Sequence, residues 1–178
     1  MQENQKTSWV QFWWRVSACH IITYFIAGIL ALNLLDYREA FVKTMLSAFM
    51  RPTDSPWVAA GPSLQIIRGI VFALALWPVK DFFLKTNRGW FKLWLIFLGF
   101  AVFGTAGPTP GSIEGLIYTK LPLSYHLLGL PEVIFQTLLF SLAFFYWYQK
   151  PAKKWNVLMG IGVCFIILMS IAGVFLGK

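Results

Sequence analysis

Arg68 stands inside GPSLQIIRGIVF, a stretch with no other charge. A guanidinium at the centre of a membrane span costs about 2.5–3.5 kcal/mol on insertion scales, so it needs a partner or a purpose. Gln65 lies three residues earlier, on the same helical face. Two roles follow for Arg68: a structural tie to carbonyls and a carboxylate, or a cation that meets an anionic ligand. Depth selects its acid. Arg68 is about 16 Å below the outer end of its helix at 1.5 Å per residue. Glu132 opens the fourth apolar run at the surface, too high to reach it. Glu114, in AGPTPGSIEG, reaches it if that segment dips into the bilayer, where non-helical backbone is tolerated when protein or water covers it. The expected pair is therefore Arg68–Glu114.

Other polar residues fall at the same depth. Ser17, His20, Tyr24, Gly28 and Ala31 step by three or four along one face of the first apolar run. His20 and Tyr24 bracket the midplane. Glu132 and Gln136 share a face of the fourth run. The expected ligand site is Arg68, Gln65, Glu114, Tyr24, His20 and Gln136. If the chain were an enzyme acting on a lipid or lipid-linked substrate, Glu114, His126 and Glu132 would be its acid–base candidates. Packing alone accounts for the polar stripe in the plainer reading.

Known chemical signatures are absent. No HExxH, Walker A, GxGxxG or CxxC motif occurs, and GSIEG lacks the spacing of a nucleophile elbow. Cys19 and Cys164 both fall inside apolar runs and form no disulfide framework or metal set. No cofactor and no metal are expected.

These residues need elements to carry them. The chain has 178 residues, 58% hydrophobic and 18% aromatic, with only 12% charged. Soluble domains average about 25% charged residues, so this chain could not clothe a soluble surface. Apolar runs at about 12–35, 57–79, 91–106, 131–148 and 155–177 approach the roughly 20 residues a spanning helix needs. The third is short. Strand alternation of the barrel kind is missing. The expectation is one all-α, polytopic helical membrane bundle over 1–178, with about five transmembrane helices. The first run is too long, and lacks a cleavage site, for a removed signal.

Two outer segments look structured. Tyr37, Phe41, Met45 and Phe49 sit near helical spacing, which predicts an interfacial helix ended by Arg51-Pro52. Residues 107–130 are too long and too apolar for a solvated loop. Pro110, Pro122 and Gly129 divide them into two short helices, interfacial or re-entrant.

Charge asymmetry sets orientation. One set of loops carries nine Lys and Arg against Glu3 and Asp81. The other carries five against Asp36, Glu39, Asp54, Glu114 and Glu132. The positive-inside rule predicts a cytoplasmic N-terminus and an external C-terminus in the plasma (inner) membrane. Eight of nine tryptophans fall near the basic ends, as an aromatic belt would. The net charge of +8 is spread over short loops, which fits attraction to anionic membrane lipid and argues against nucleic acid.

Function is then expected among three classes. The first is an outward-facing polar pocket that binds or transports a small anionic solute or lipid headgroup, with 107–130 as its lid. The second is the lipid-directed enzyme. The third is a structural or accessory subunit. Gly160, Gly162, Gly173 and Gly177 would let helix 155–177 dock a partner subunit or a second copy.

Overall fold

Ser8 starts the first long helix, its side chain accepting from the Gln11 N–H at 3.3 Å. Such a cap satisfies one of the four orphan donors at a helix start. The computed structural model describes residues 7–104 and 109–176. Its helices are α1 Trp9–Leu34, α2 Tyr37–Lys43, α3 Pro56–Leu76, α4 Lys80–Leu84 and α5 Gly89–Phe103. They continue with α6 Ile113–Tyr118, α7 Leu123–Leu128, α8 Leu130–Gln149 and α9 Lys153–Leu176. The chain is an all-α bundle, as composition requires. Residues 105–108, where the third apolar run ends in the sequence, lie outside the described residues, as do Glu3, Lys6 and Gly177.

Four helical stretches are long and apolar enough to cross a membrane: Trp9–Leu34, Pro56–Leu76, Leu123–Gln149 and Lys153–Leu176. α5 is apolar but has 15 residues. That is about 22 Å, short of the roughly 30 Å hydrocarbon core. The fourth span gains length where the sequence suggested a break. Gly129 stays in the right-handed region (φ −84°, ψ −13°), so α7 runs into α8 almost without interruption. The interfacial helix, in contrast, breaks early. Thr44 is extended, donating to the Ala40 carbonyl at 2.6 Å and accepting from the Leu46 N–H at 3.2 Å. A short 3₁₀ turn, Met45–Ala48, follows.

α1 is the central helix and packs against α3, α8 and α9; α5 packs on α8 instead. The tightest core lies toward the basic end, where Phe12, Val16, Leu84, Leu93 and Phe144 are fully or almost fully buried. Rings of Trp9, Phe12, Trp77 and Phe144 meet edge to face there, at centroid distances of 5.2–5.5 Å. The glycines of α9 are spent inside the chain. Gly160 faces Trp14, Gly162 faces Ile22, and Gly173 faces Ala59. Ser170 donates to the Ala59 carbonyl at 2.5 Å. The other face of α9, including Ile161, Phe165 and Leu168, is exposed, as a lipid-facing surface should be.

Candidate functional site

α3 has two unlike faces. Gln65, Gly69, Ala73 and Leu76 are buried, spaced four, four and three residues apart. This face meets α1. At Gly69 the approach is so close that a Cβ would lie 2.7 Å from the Ser17 Cα. Only glycine permits it. One turn away, His20 Nε2 and Gln65 Oε1 are 3.0 Å apart. The Gln65 amide nitrogen donates to the Gly61 carbonyl at 3.1 Å, which leaves its oxygen to accept. His20 therefore carries its proton on Nε2 and donates it to Gln65. The Tyr24 ring lies 6.4 Å from the His20 ring, beside Gly61.

A neighbouring face of α3 meets α5 only lightly, through Phe72 and Phe97. Between α3 and α5 lies a cavity of about 1220 Å³. Val71, Phe72 and Ala75 form one wall; Ile96, Phe97 and Phe100 form the other. Phe72 and Phe97 touch edge to face at 4.9 Å, and Phe72 also packs on His20 at 4.8 Å. His20, Gln136 and Phe140 contribute to the floor. Pro78 to Phe83 border the basic end. Thr109, Pro110, Gly111 and Ser112 cross the other.

Polar groups line the cavity at both ends and between them: Thr109 and Ser112 at the second end, Asp81 at the basic end, and His20, Arg68 and Gln136 between. Arg68 is exposed into the cavity, with its guanidinium carbon 5.9 Å from the Phe72 ring. It lies 12 residues into α3 from Pro56, so about 18 Å from the helix start and near mid-depth. Among the described residues it has neither an ion-pair partner nor a hydrogen bond. The two ion pairs found there are Lys43–Glu39 and Lys85–Asp81, both exposed i,i+4 pairs. Gln136 likewise faces the cavity with no side-chain partner among the described residues.

The expected Arg68–Glu114 pair does not form. Ser112 caps α6 by accepting from the Gly115 N–H at 2.9 Å, and Ser112 itself lines the cavity. Glu114 is two residues further along the helix. It is not among the residues that line the cavity. The site thus brings together His20, Arg68 and Gln136. Gln65 reaches the cavity only through His20, while Tyr24 and Glu114 are outside its walls.

His126 and Glu132 have other work. The Gly111 N–H donates to His126 Nδ1 at 3.3 Å, and His126 Nε2 lies 3.4 Å from the Thr119 hydroxyl. Both ring nitrogens are engaged, so His126 ties down the 109–112 segment that crosses the cavity. Gly111 takes a positive φ of 88° there, a conformation glycine adopts without strain. Glu132 accepts from the Tyr37 hydroxyl at 2.8 Å, joining α8 to α2. Burial, then the Glu132 charge and then this hydrogen bond push the Tyr37 phenol above its ordinary range. Glu114, His126 and Glu132 therefore do not converge on one acid–base site.

Sequence reasoning missed the structural role of His126. Its only signal was a histidine among short helices, with no spacing to link it to Gly111. No protein-family model matches the chain, and neither a curated protein nor a solved structure is significantly similar to it.

Proposed function

We propose that this membrane protein binds an amphiphilic anion in the groove between α3 and α5. The anionic group, a carboxylate or phosphate, sits against Arg68 and Gln136, and the apolar body lies along the walls toward Pro78. One observation carries the reading: an exposed guanidinium at mid-depth, unpaired among the described residues, faces a large cavity whose remaining walls are mostly apolar. Intramembrane charges are expensive and mark ligand pathways by default. An anion offsets the cost of Arg68, and a hydrocarbon body suits Val71, Phe97 and Phe100.

The groove suits a headgroup passing mid-depth better than a water-filled pore, because its lining is mostly apolar. Transport of such a headgroup belongs to the same proposal. The charge asymmetry supports a reading in which the basic end faces the cytoplasm and the far end faces outward, in the plasma membrane.

Native mass spectrometry of purified protein, with a fluorescent long-chain carboxylate as probe, tests the site. Wild type retains an amphiphile and binds the probe. Arg68→Gln weakens probe binding at least about tenfold, and Ala75→Trp blocks it by filling the wall. Glu132→Gln leaves it intact. Equal probe binding by wild type and Arg68→Gln would remove the proposal.

A further inference from the structure

A second cation at membrane depth is independent of the groove. Arg15 lies six residues into α1, about 9 Å from its start, among the aromatic residues of the basic end. It is only 6% exposed. Its guanidinium carbon is 5.9 Å from the ring centres of both Trp147 and Tyr148. Among the described residues no carboxylate comes within 4.0 Å of it and no hydrogen bond reaches it. Its Nε is fully buried with no partner, and so is the indole Nε1 of Trp147.

Aromatic faces stabilise a cation, but they do not accept the N–H bonds of a guanidinium. The unmet groups at this position are all donors. A buried charge left without acceptors is strongly unfavourable, so an acceptor from outside the chain is required. Its sign and shape follow from the donors. A guanidinium fork with an indole ring centred 5.9 Å away, its own N–H unmet, suits a tetrahedral oxyanion. Lys150, Lys153 and Lys154 are exposed on the adjoining turn and add attraction for negative charge. Asp81, the described acid of this end, is already held by Lys85 at 2.8 Å.

We propose that Arg15 and Trp147 form a phosphate site at the basic end, filled by the phosphodiester of an anionic lipid. The level of the site in the aromatic belt is where a lipid phosphate lies. It is separate from the Arg68 groove in position, lying between α1 and α8 rather than between α3 and α5.

The test uses the full chain in detergent, with thermal unfolding and native mass spectrometry as readouts. The probes are phosphatidylglycerol, diacylglycerol with the same acyl chains, and inorganic phosphate. Phosphatidylglycerol is expected to raise the unfolding temperature and remain bound, while diacylglycerol does neither. Arg15→Lys removes the fork and Trp147→Phe removes only the indole donor. Each is expected to weaken phosphatidylglycerol binding roughly tenfold when measured in an Arg68→Gln background, which removes any contribution from the groove. If Arg15→Lys does not fold, Trp147→Phe carries the test. Protection by inorganic phosphate at similar concentration would make the ligand a soluble phosphate at the same site. The proposal falls if diacylglycerol binds as well as phosphatidylglycerol, or if the folded variants bind phosphatidylglycerol like Arg68→Gln alone.

Discussion

The two faces of α3 obey opposite rules. Toward α1 the helix presents Gln65, Gly69, Ala73 and Leu76, all buried, and Gly69 lets the two backbones approach. Toward α5 it presents Arg68, Val71, Phe72 and Ala75 to an open cavity. In lipid there is no hydrophobic drive to press two helices together, so packing is decided by small residues and hydrogen bonds. The first face has both. The second has one aromatic contact, Phe72 with Phe97, and a charge that repels burial. The same helix thus forms a seam on one side and leaves a groove on the other.

Breaking the seam should have the largest effect. Gly69→Leu forces a side chain into the Ser17 backbone and is expected to cost about 3 kcal/mol, read as a lowered unfolding temperature. Its partner across the helix, Ala75→Leu, is expected to change stability by less than about 0.5 kcal/mol, because it meets open space. If both substitutions destabilise equally, the two faces do not differ as described. Gln65→Leu comes next. It leaves the His20 Nε2–H buried without an acceptor, for an expected loss of about 2 kcal/mol. Unchanged stability would show that the His20–Gln65 tie contributes nothing to the seam.

Arg68→Gln sharpens the contrast from the other side. Stability of the ligand-free protein should hold or rise, because an intramembrane charge unpaired among the described residues is removed. Only amphiphile binding should fall, as described above. A collapse of the fold would instead assign Arg68 a structural role. Tyr37→Phe is expected to destabilise less than Gln65→Leu, by about 1 kcal/mol from the lost bond to Glu132. Its pH dependence has a definite sign. The Tyr37 phenol is held above its ordinary range by burial, the Glu132 charge and the hydrogen bond. A raised value favours the protonated, folded form. The contribution should be full below about pH 10 and fade as pH rises through the folded value. A wild-type minus Tyr37→Phe difference that vanished at neutral pH would contradict this.

Some of the site was legible early. Arg68 announced itself because no other charge interrupts its run; the three-residue step to Gln65 put the two on one face, whereas Gln65 turns to His20 and Arg68 to the cavity. His20 was legible as part of a polar stripe, although its hydrogen bond to Gln65 was not. Gln136 and Glu132 share a face of α8 in sequence, yet one lines the cavity and the other bonds Tyr37. Neighbours outside the helix made that difference. Glu114 was misplaced because depth alone was used to pair it. Ser112 lines the cavity and Glu114, two residues further on, does not. Arg15 was counted only as a basic-end charge, since linear sequence does not show that Trp147 and Tyr148 fold over it.

Composition and apolar run length by themselves determined the class of molecule. A chain with 58% hydrophobic residues and 12% charge must satisfy its backbone within helices in lipid, which leaves an all-α bundle. Tertiary structure decided everything that depends on rotation and on who packs against whom. It decided that α7 joins α8, that the α9 glycines serve α1 and α3, and that His126 anchors Gly111. It also decided that α3 and α5 stand apart. The reason is physical: hydropathy is a property of each segment, whereas a groove exists only as the failure of two segments to meet.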